Sequence, residues 1–370
     1  MKIAYIIPTR NRPDVLRKTL TLLGSLAHHD AQVIVVDNDS SMVPNVPGAL
    51  ANGIDVQLLR RASNEGAAAR NVGVRAADRA CEWVIMLDDD SVPLSLGHLD
   101  ALRAASHDTS AVAAEIVLPC GARESGGLPE VFIGCGVALR REAFEMCDGY
   151  DASFGYYAEE YDLAAKMMLA GWRIGLDRRF VVEHRKVTAG RDMNLIMHRL
   201  LRNNGWIMQR YAPARRRVTE LRHVVDRYGI IARKEKAERG YAHGLDELFH
   251  TLRDQPRRPM GAARWDRFTG KAAAVRSLQN AYLEHRFVTA AIVEEGKNAV
   301  VVRSALRAMG VREVPLGDSP DIAVIGTLSP GPMLDAWARA AGGSTTRIVC
   351  PWDELINAER AARRAVLAAA

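Results

Sequence analysis

The 370-residue chain is 48% hydrophobic and 25% charged, with a formal net charge of +6. That balance excludes a disordered or low-complexity chain, and its mild basicity suits an anionic substrate or a membrane surface without implying nucleic acid. The length favours two domains with a helical connector between them.

Residues 3–7 form an apolar run closed by Pro8, as in a strand buried on both faces. Residues 14–26 then carry Val15, Leu16, Leu20, Leu22, Leu23 and Leu26 at helical spacing behind a Pro13-Asp14 start signal. Residues 33–36 predict a second strand, and residues 56–59, entered through the turn-forming Asn52-Gly53, a third. A helix over 67–80 and a fourth strand over 83–87 follow. This alternation predicts a mostly parallel sheet with helices on both faces, and a ligand crevice beyond the carboxyl ends of its strands.

From 191 to 286 the pattern turns helical and basic, densest at Arg215-Arg216-Arg217, Arg233-Lys234 and Lys236. Residues 254–259 suit a loop. Strands over 287–293, 311–314, 321–325 and 347–350, with helices over 297–309 and 332–341, predict a second, smaller α/β unit. The alanine-rich tail after Trp352 suits a terminal helix. The expected division is therefore 1–190, 191–286 and 287–370. Glu294-Glu295-Gly296-Lys297-Asn298 lies where a strand passes into a helix, a place able to hold phosphate, but no P-loop or GxGxxG pattern accompanies it.

Five separated cysteines form no CxxC pair, which argues for a reducing compartment over a zinc knuckle or disulfide framework. There is no signal-peptide apolar region, and no apolar run reaches the roughly 20 residues of a spanning helix. The expected location is the cytoplasm, with peripheral contact at the inner face of a membrane open to the basic stretch.

Asp88-Asp89-Asp90 is the sharpest local signal. Three adjacent carboxylates at the end of an apolar strand repel one another and call for a nearby cation. Divalent ions take such oxygens together with phosphate oxygens and water. Alternation along an extended chain puts Asp88 and Asp90 on one side and Asp89 on the other. That favours Asp90 as a metal ligand, with Asp88 touching ribose or an adjacent group; a solvated acidic turn is the plain alternative.

Four blocks occur in order: Ile6-Ile7-Pro8-Thr9-Arg10-Asn11-Arg12, Val35-Val36-Asp37-Asn38-Asp39-Ser40, Asn64-Glu65-Gly66-Ala67-Ala68-Ala69-Arg70-Asn71 and Leu87-Asp88-Asp89-Asp90. A fifth runs Gly134-Cys135-Gly136, then Gly149-Tyr150-Asp151, then Glu159-Glu160-Tyr161-Asp162. In this order and spacing, residues 1–210 resemble the family 2 glycosyltransferases, whose fold is called GT-A. The resemblance implies a Rossmann-like, mostly parallel α/β sheet and a nucleoside-diphosphate sugar donor.

It also implies roles. Pro8, Thr9, Arg10, Asp37 and Asp39 would grip base and ribose, together with Asp88 and Asp89. Asp39 can accept from a pyrimidine N–H, or make an Asx turn with Ser40. Gly66 would permit close backbone approach at a helix N-terminus that offers N–H groups to an anion, with Asn64 as its cap or as a donor contact. Arg70, one turn in, would reach the diphosphate or remain a surface cation. Asp90 and His184 would hold Mn²⁺ or Mg²⁺; neutral imidazole suits manganese better. Glu160 stands where the family usually has Asp, which leaves Glu159, Glu160 and Asp162 open as the general base. Cys135 fits a small buried residue better than a nucleophile.

The expected reaction is inverting transfer to a hydroxyl or amine of a small-molecule, glycan or lipid-linked acceptor. No nucleic acid partner is expected, and the C-terminal part offers a surface for homo-oligomer contact. Two alternatives stand beside it. A sugar nucleotidyltransferase would need a Gly- and Lys-rich first loop, which Thr9-Arg10-Asn11-Arg12 is not. A non-catalytic nucleotide-sugar-binding or scaffold protein would not bind nucleoside diphosphate productively.

Overall fold

The computed structural model describes residues 1–186, 191–340 and 346–357. Its larger sheet holds β1 (Lys2–Thr9), β2 (Ala31–Asp37), β3 (Asp55–Arg60), β4 (Cys81–Leu87), β5 (Ser91–Pro93), β6 (Thr109–Val117), β7 (Gly136–Arg140) and β8 (Arg173–His184). The strand order is β3-β2-β1-β4-β7-β6-β8-β5. The first four strands are parallel, as the βαβ pattern predicts. β7 enters antiparallel between β4 and β6, and β5 lies antiparallel on β8 at the edge. This is the expected α/β class with a mostly parallel sheet, carrying two antiparallel strands that the local pattern does not announce.

Alternation divides the strands between two cores. Ile3, Tyr5, Ile7, Val33, Val35, Trp83 and Ile85 pack with α1 (Pro13–Gly24) and, further along, with a helix that follows β5. Ala4, Ile6, Ile34, Val36, Val84 and Met86 face the opposite side, toward α2 (Ala69–Ala76). Each fully buried Ile or Val contributes about 1.5–3 kcal/mol, which fixes register, because a one-residue slip would exchange the two faces.

The remaining helices are α3 (Gly97–Ala104), α4 (Arg141–Met146), α5 (Glu159–Leu169), α6 (Met193–Tyr211), α7 (Arg217–Lys234), α8 (Glu238–Thr251), α9 (Ala262–Phe268) and α10 (Lys271–Glu284). The basic stretch is thus helical, and α6 to α8 enclose a small apolar core of their own around Met197, Leu201, Val224 and Tyr228. The second sheet contains β9 (Thr289–Val293), β10 (Arg312–Glu313), β11 (Ile322–Ile325) and β12 (Arg347–Val349), flanked by α11 (Ala299–Ala308) and α12 (Pro330–Ala340). All its pairs are parallel. It shares one apolar core with the larger sheet, since Ile6, Phe132, Trp265, Leu278, Val324, Leu334 and Trp352 belong to a single cluster. Of the alanine-rich tail, residues 353–357 are helical and 358–370 lie outside the described residues. Among the described residues no helix is long and apolar enough to cross a membrane.

Three local expectations shift. β1 runs through Pro8 to Thr9, because pairing with β4 stops at Ile6 opposite Met86 and Pro8 sits where the strand has a neighbour on one side only. The helix expected over 67–80 is shorter. It opens as a 3-10 turn over Gly66–Ala68 and ends at Ala76, where Asp78 Oδ1 accepts from Ala80 N at 2.9 Å in a competing turn. Alternation also fails beyond Leu87: β4 ends there and residues 88–91 turn, with Ser91 N bonded to Asp88 O at 3.1 Å.

Candidate active site

The polar ends of β1, β2 and β4 converge as the crevice rule predicts. Thr9, at the end of β1, donates its hydroxyl to Asp89 Oδ2 at 2.8 Å. Pro8 is buried behind it. Asp37 is fully buried; its Oδ1 accepts from Ser40 N at 3.0 Å, while Oδ2 has no hydrogen bond and Arg60 Nε stands 3.8 Å away. The Asx-type turn open to Asp39 in the sequence is therefore made by Asp37. Asp39 itself, with φ +69, is partly exposed and meets Arg10, whose Nη2 lies 3.7 Å away.

Asn64 and Gly66 act within the chain. Asn64 Oδ1 accepts from Gly66 N and from Asn38 Nδ2, each at 3.0 Å. Gly66 has φ +61, and a Cβ there would fall 2.3 Å from Gly155 O, so only glycine fits. The backbone that approaches it is the chain's own. Ala67 N donates to Gly155 O at 2.7 Å, which removes one of the N–H groups expected to face an anion. This contact joins the loop before α2 to the loop before α5. Arg70 is not a surface cation: it is buried and paired with Asp88, and its Nε has no partner.

The acid triplet is matched by arginines. Arg12 bridges Asp89 and Asp90 at 2.7 Å each, while Arg70 holds Asp88. Mutual repulsion therefore demands no metal. Burial still pushes Asp89 up to about 7, against the pull of Arg12 and Thr9. His184 supplies the better sign of a cation site. Its Nε2 is 3.4 Å from Asp90 and its Nδ1 is 3.0 Å from Glu124, the carboxylate–histidine arrangement that orients metal-ligating imidazoles. Burial opposes protonation of His184, but hydrogen bonds to Asp90, Cys135 and Glu124 outweigh it and lift the ring to about 12, so a metal held there would have to displace its proton. Burial would raise Glu124, yet His184 and Lys186 hold it near 2. Ligand atoms of Asp88, Cys135 and His184 all lie within 4.8 Å of one another. Carboxylate and imidazole fit Mn²⁺; the buried thiol of Cys135 is a soft donor that fits it less well.

The three acids at the start of α5 separate sharply. Asp162 is fully buried and turned to α6, where Arg210 Nη1 lies 2.9 Å and Tyr211 Oη 2.6 Å from its Oδ1; Lys166 is 3.3 Å from Oδ2. Glu159 and Glu160 instead share the neighbourhood of Arg70 and Asp88. Burial, and then the charge of Glu160, push Glu159 well above the usual glutamate range. Burial also raises Glu160, but a hydrogen bond from Glu159 works the other way. Both carboxyls are thus raised as a pair, with Glu160 the less buried of the two.

Tyr157 and Ala158, just before these acids, have φ +74 and +65, a conformation that non-glycine residues hold only under constraint. Asn203 of α6 supplies it: Nδ2 lies 3.0, 2.9 and 2.6 Å from the carbonyls of Phe154, Tyr156 and Tyr157. Arg202 reaches Phe154 O from the same helix at 3.1 Å. The Arg202-Asn203-Asn204 segment thus borders the site by shaping its loop.

The expected residues at the ends of β1, β2, β4 and β8 come together with Arg70, Glu159 and Glu160; Asp162 does not join them. The sequence pattern assigns no role to Arg12, although it closes the first of the five blocks. Glu124 lies in a stretch without pattern and gives no local signal.

Residues 5–145 match the family model described as glycosyl transferase family 2. The O-antigen biosynthesis protein RfbC of Myxococcus xanthus is 24% identical over 210 residues, which are 47% of this chain and 16% of the relative. The chain thus spans a small part of that protein's length. Among solved structures, S. aureus TarS 1–349 in complex with UDP-GlcNAc is 14% identical with a TM-score of 0.48, over 84% of this chain and 91% of that one. GalNAc-T7 with UDP, GalNAc and Mn²⁺ is 15% identical with the same TM-score, over 71% of this chain and 59% of that one. Likeness at that level assigns neither a substrate nor a base. The family 2 match ends before α5, so the helix-start acids are characterised by their geometry alone.

Proposed function

We propose that the chain is an inverting, metal-assisted glycosyltransferase that moves a sugar from a nucleoside-diphosphate donor to an acceptor hydroxyl or amine, with Glu160 as general base. The observation that carries this reading is the Glu159–Glu160 pair facing Arg70 and Asp88 beside a family 2 segment. Asp39, the Thr9–Arg10 loop and Asp88 would grip the nucleoside. Asp90 and His184, with Asp88 alongside, would hold a divalent cation. When bound, that cation neutralises the departing diphosphate, the kind of electrostatic stabilisation that is usually the largest catalytic contribution.

In the transfer, Glu160 takes the proton of the acceptor hydroxyl. The acceptor oxygen bonds to the anomeric carbon from the face opposite the diphosphate, and the breaking C–O bond leaves its electron pair on the diphosphate. Glu159, raised by burial and by the charge of Glu160, lies beside the base and orients it. A glycan or lipid-linked acceptor agrees with the O-antigen biosynthesis role named for the RfbC relative.

The test is thermal shift against UDP-, dTDP- and GDP-sugars with Mn²⁺, followed by turnover with and without EDTA. Release of nucleoside diphosphate with inverted product is expected. Release of pyrophosphate would replace this reading with nucleotidyl transfer, and absence of nucleotide binding would leave a scaffold.

A further inference from the structure

From 118 to 135, between β6 and β7, the chain makes only isolated bridges and belongs to no helix or strand. Loops longer than about 12–15 residues without structure of their own are uncommon in a compact unit, and their shape has to come from what packs on them. This loop carries Glu124, whose Oε2 lies 3.0 Å from His184 Nδ1 and whose Oε1 is met by Lys186 at 2.9 Å.

The packing comes from the second sheet. Asp335 of α12 accepts from Arg123 twice, from Nη1 at 2.7 Å and from the main-chain N at 3.1 Å. On its other side Arg123 is held by Glu115 of β6, where Nε donates to Oε1 at 2.6 Å. One turn before Asp335, Gly331 leaves no room: a Cβ there would fall 2.5 Å from Glu124 O and 2.7 Å from Arg123 Cβ. Ser329, just ahead of the helix, has its Oγ 3.5 Å from Gly127 O. An ion pair that only joined the two sheets would need neither the main-chain N–H of Arg123 nor a glycine against Glu124. Here the first turns of α12 fit the backbone of the loop itself.

The consequence runs through Glu124. Its carboxylate meets one nitrogen of the His184 ring, and the other, Nε2, lies 3.4 Å from Asp90. A partner that fixes one imidazole nitrogen decides where the other points. Moving the 123–124 backbone would therefore turn the ring away from Asp90.

We propose that Asp335 and Gly331 are positioning residues for the cation site, holding the 123–124 backbone so that Glu124 keeps His184 aimed at Asp90. This gives the second sheet, which lies outside the family 2 match, a part in the reaction. The proposal rests on the glycosyltransferase reading for the cation, and on these distances alone for the positioning.

The experiment uses the full chain with Asp335→Ala, Asp335→Asn and Gly331→Ala, and with Asp321→Asn as a stability control. Asp321 accepts from Val288 N and Thr289 N, each at 2.8 Å, at the opposite end of β11 from α12. Two quantities are read without any donor present. Mn²⁺ affinity is measured by electron paramagnetic resonance of the free ion. The His184 ring is followed by NMR of histidine-labelled protein, its signal assigned by its absence in His184→Asn.

Asp335→Ala and Gly331→Ala are expected to weaken Mn²⁺ binding roughly tenfold, the low end of what loss of an outer partner costs a metal site, and to shift the His184 signal. Asp335→Asn keeps an acceptor for Arg123 and should recover most of the affinity. Asp321→Asn should lower thermal stability and leave both readings at the wild-type values. Either reading left unmoved in Asp335→Ala and Gly331→Ala overturns the proposal, as does an equal response in Asp321→Asn. Should Asp335→Ala fail to fold, Gly331→Ala, which removes no ion pair, decides. If wild type binds no Mn²⁺, the cation reading fails and the His184 signal alone decides: shifted in Gly331→Ala but not in Asp321→Asn, the positioning stands; unshifted, it falls.

Discussion

The two acidic groups of the site, the turn after β4 and the start of α5, carry similar formal charge and are placed in opposite surroundings. Asp88, Asp89 and Asp90 are each met by an arginine, and Asp90 also by His184. Glu159 and Glu160 have each other, with Oε2 of Glu159 buried and without a partner. Charge pairing balances the first group, although burial still lifts Asp89 to about 7. Burial without pairing makes the second group able to take up and release a proton. The lesson is that environment, rather than residue type, divides binding from proton transfer among neighbouring carboxylates.

The sharpest way to break this contrast is Glu160→Gln. Loss of a positioned base should lower kcat by about 10²–10⁴-fold. The wild-type acid limb should lie above the ordinary glutamate range because burial raises Glu160, and the variant should lose that limb. A pH–rate profile of both proteins checks it; an unchanged profile in the variant would return the base to Glu159 or to none. Asp162→Asn probes the third acid of the same helix start. It removes one of the two carboxylates that hold buried Arg210, with Asp151 remaining at 2.7 Å, so unfolding should become easier by about 1–3 kcal/mol in denaturant melts, while the folded fraction keeps the wild-type pH profile.

Much of this contrast is legible in the sequence, and the missing part has a common cause. β1, β2, β3 and β4 can be read because each strand's apolar run is local. β7 cannot, since its antiparallel place between β4 and β6 is decided by partners distant in sequence. Similarly, the triplet announces itself by repeating one residue type, but Arg12 and Arg70 as its counter-charges depend on where α1 and α2 begin. Glu159, Glu160 and Asp162 look alike in the chain. Their different fates follow from helical geometry and from Arg210, nearly fifty residues later.

A smaller effect tests whether the histidine belongs with the first group. Glu124 holds Nδ1 of His184 and is itself held by Lys186, so Glu124→Gln keeps the shape and removes the charge. Loss of such an outer carboxylate should weaken Mn²⁺ binding by about 10–100-fold, measured by metal titration of turnover. If affinity is unmoved, His184 is a structural member of the turn and the cation site shrinks to the aspartates.

The smallest effect concerns Glu159 and reads the contrast through stability. Its pKa in the folded protein is raised above that of the unfolded chain, by burial first and by Glu160 second. Between those two values the folded protein binds more protons, so its stability is fully expressed below the ordinary glutamate pKa and declines as pH rises toward the raised one. Each tenfold difference in proton affinity between the folded and unfolded chain is worth about 1.4 kcal/mol. Glu159→Gln removes this group from the balance, so its stability should fall less than wild type from pH 4 upward, as followed by denaturant melts in a pH series. A variant curve parallel to wild type would mean that Glu159 is ionised and compensated in the fold, and the two acidic groups would no longer differ in kind.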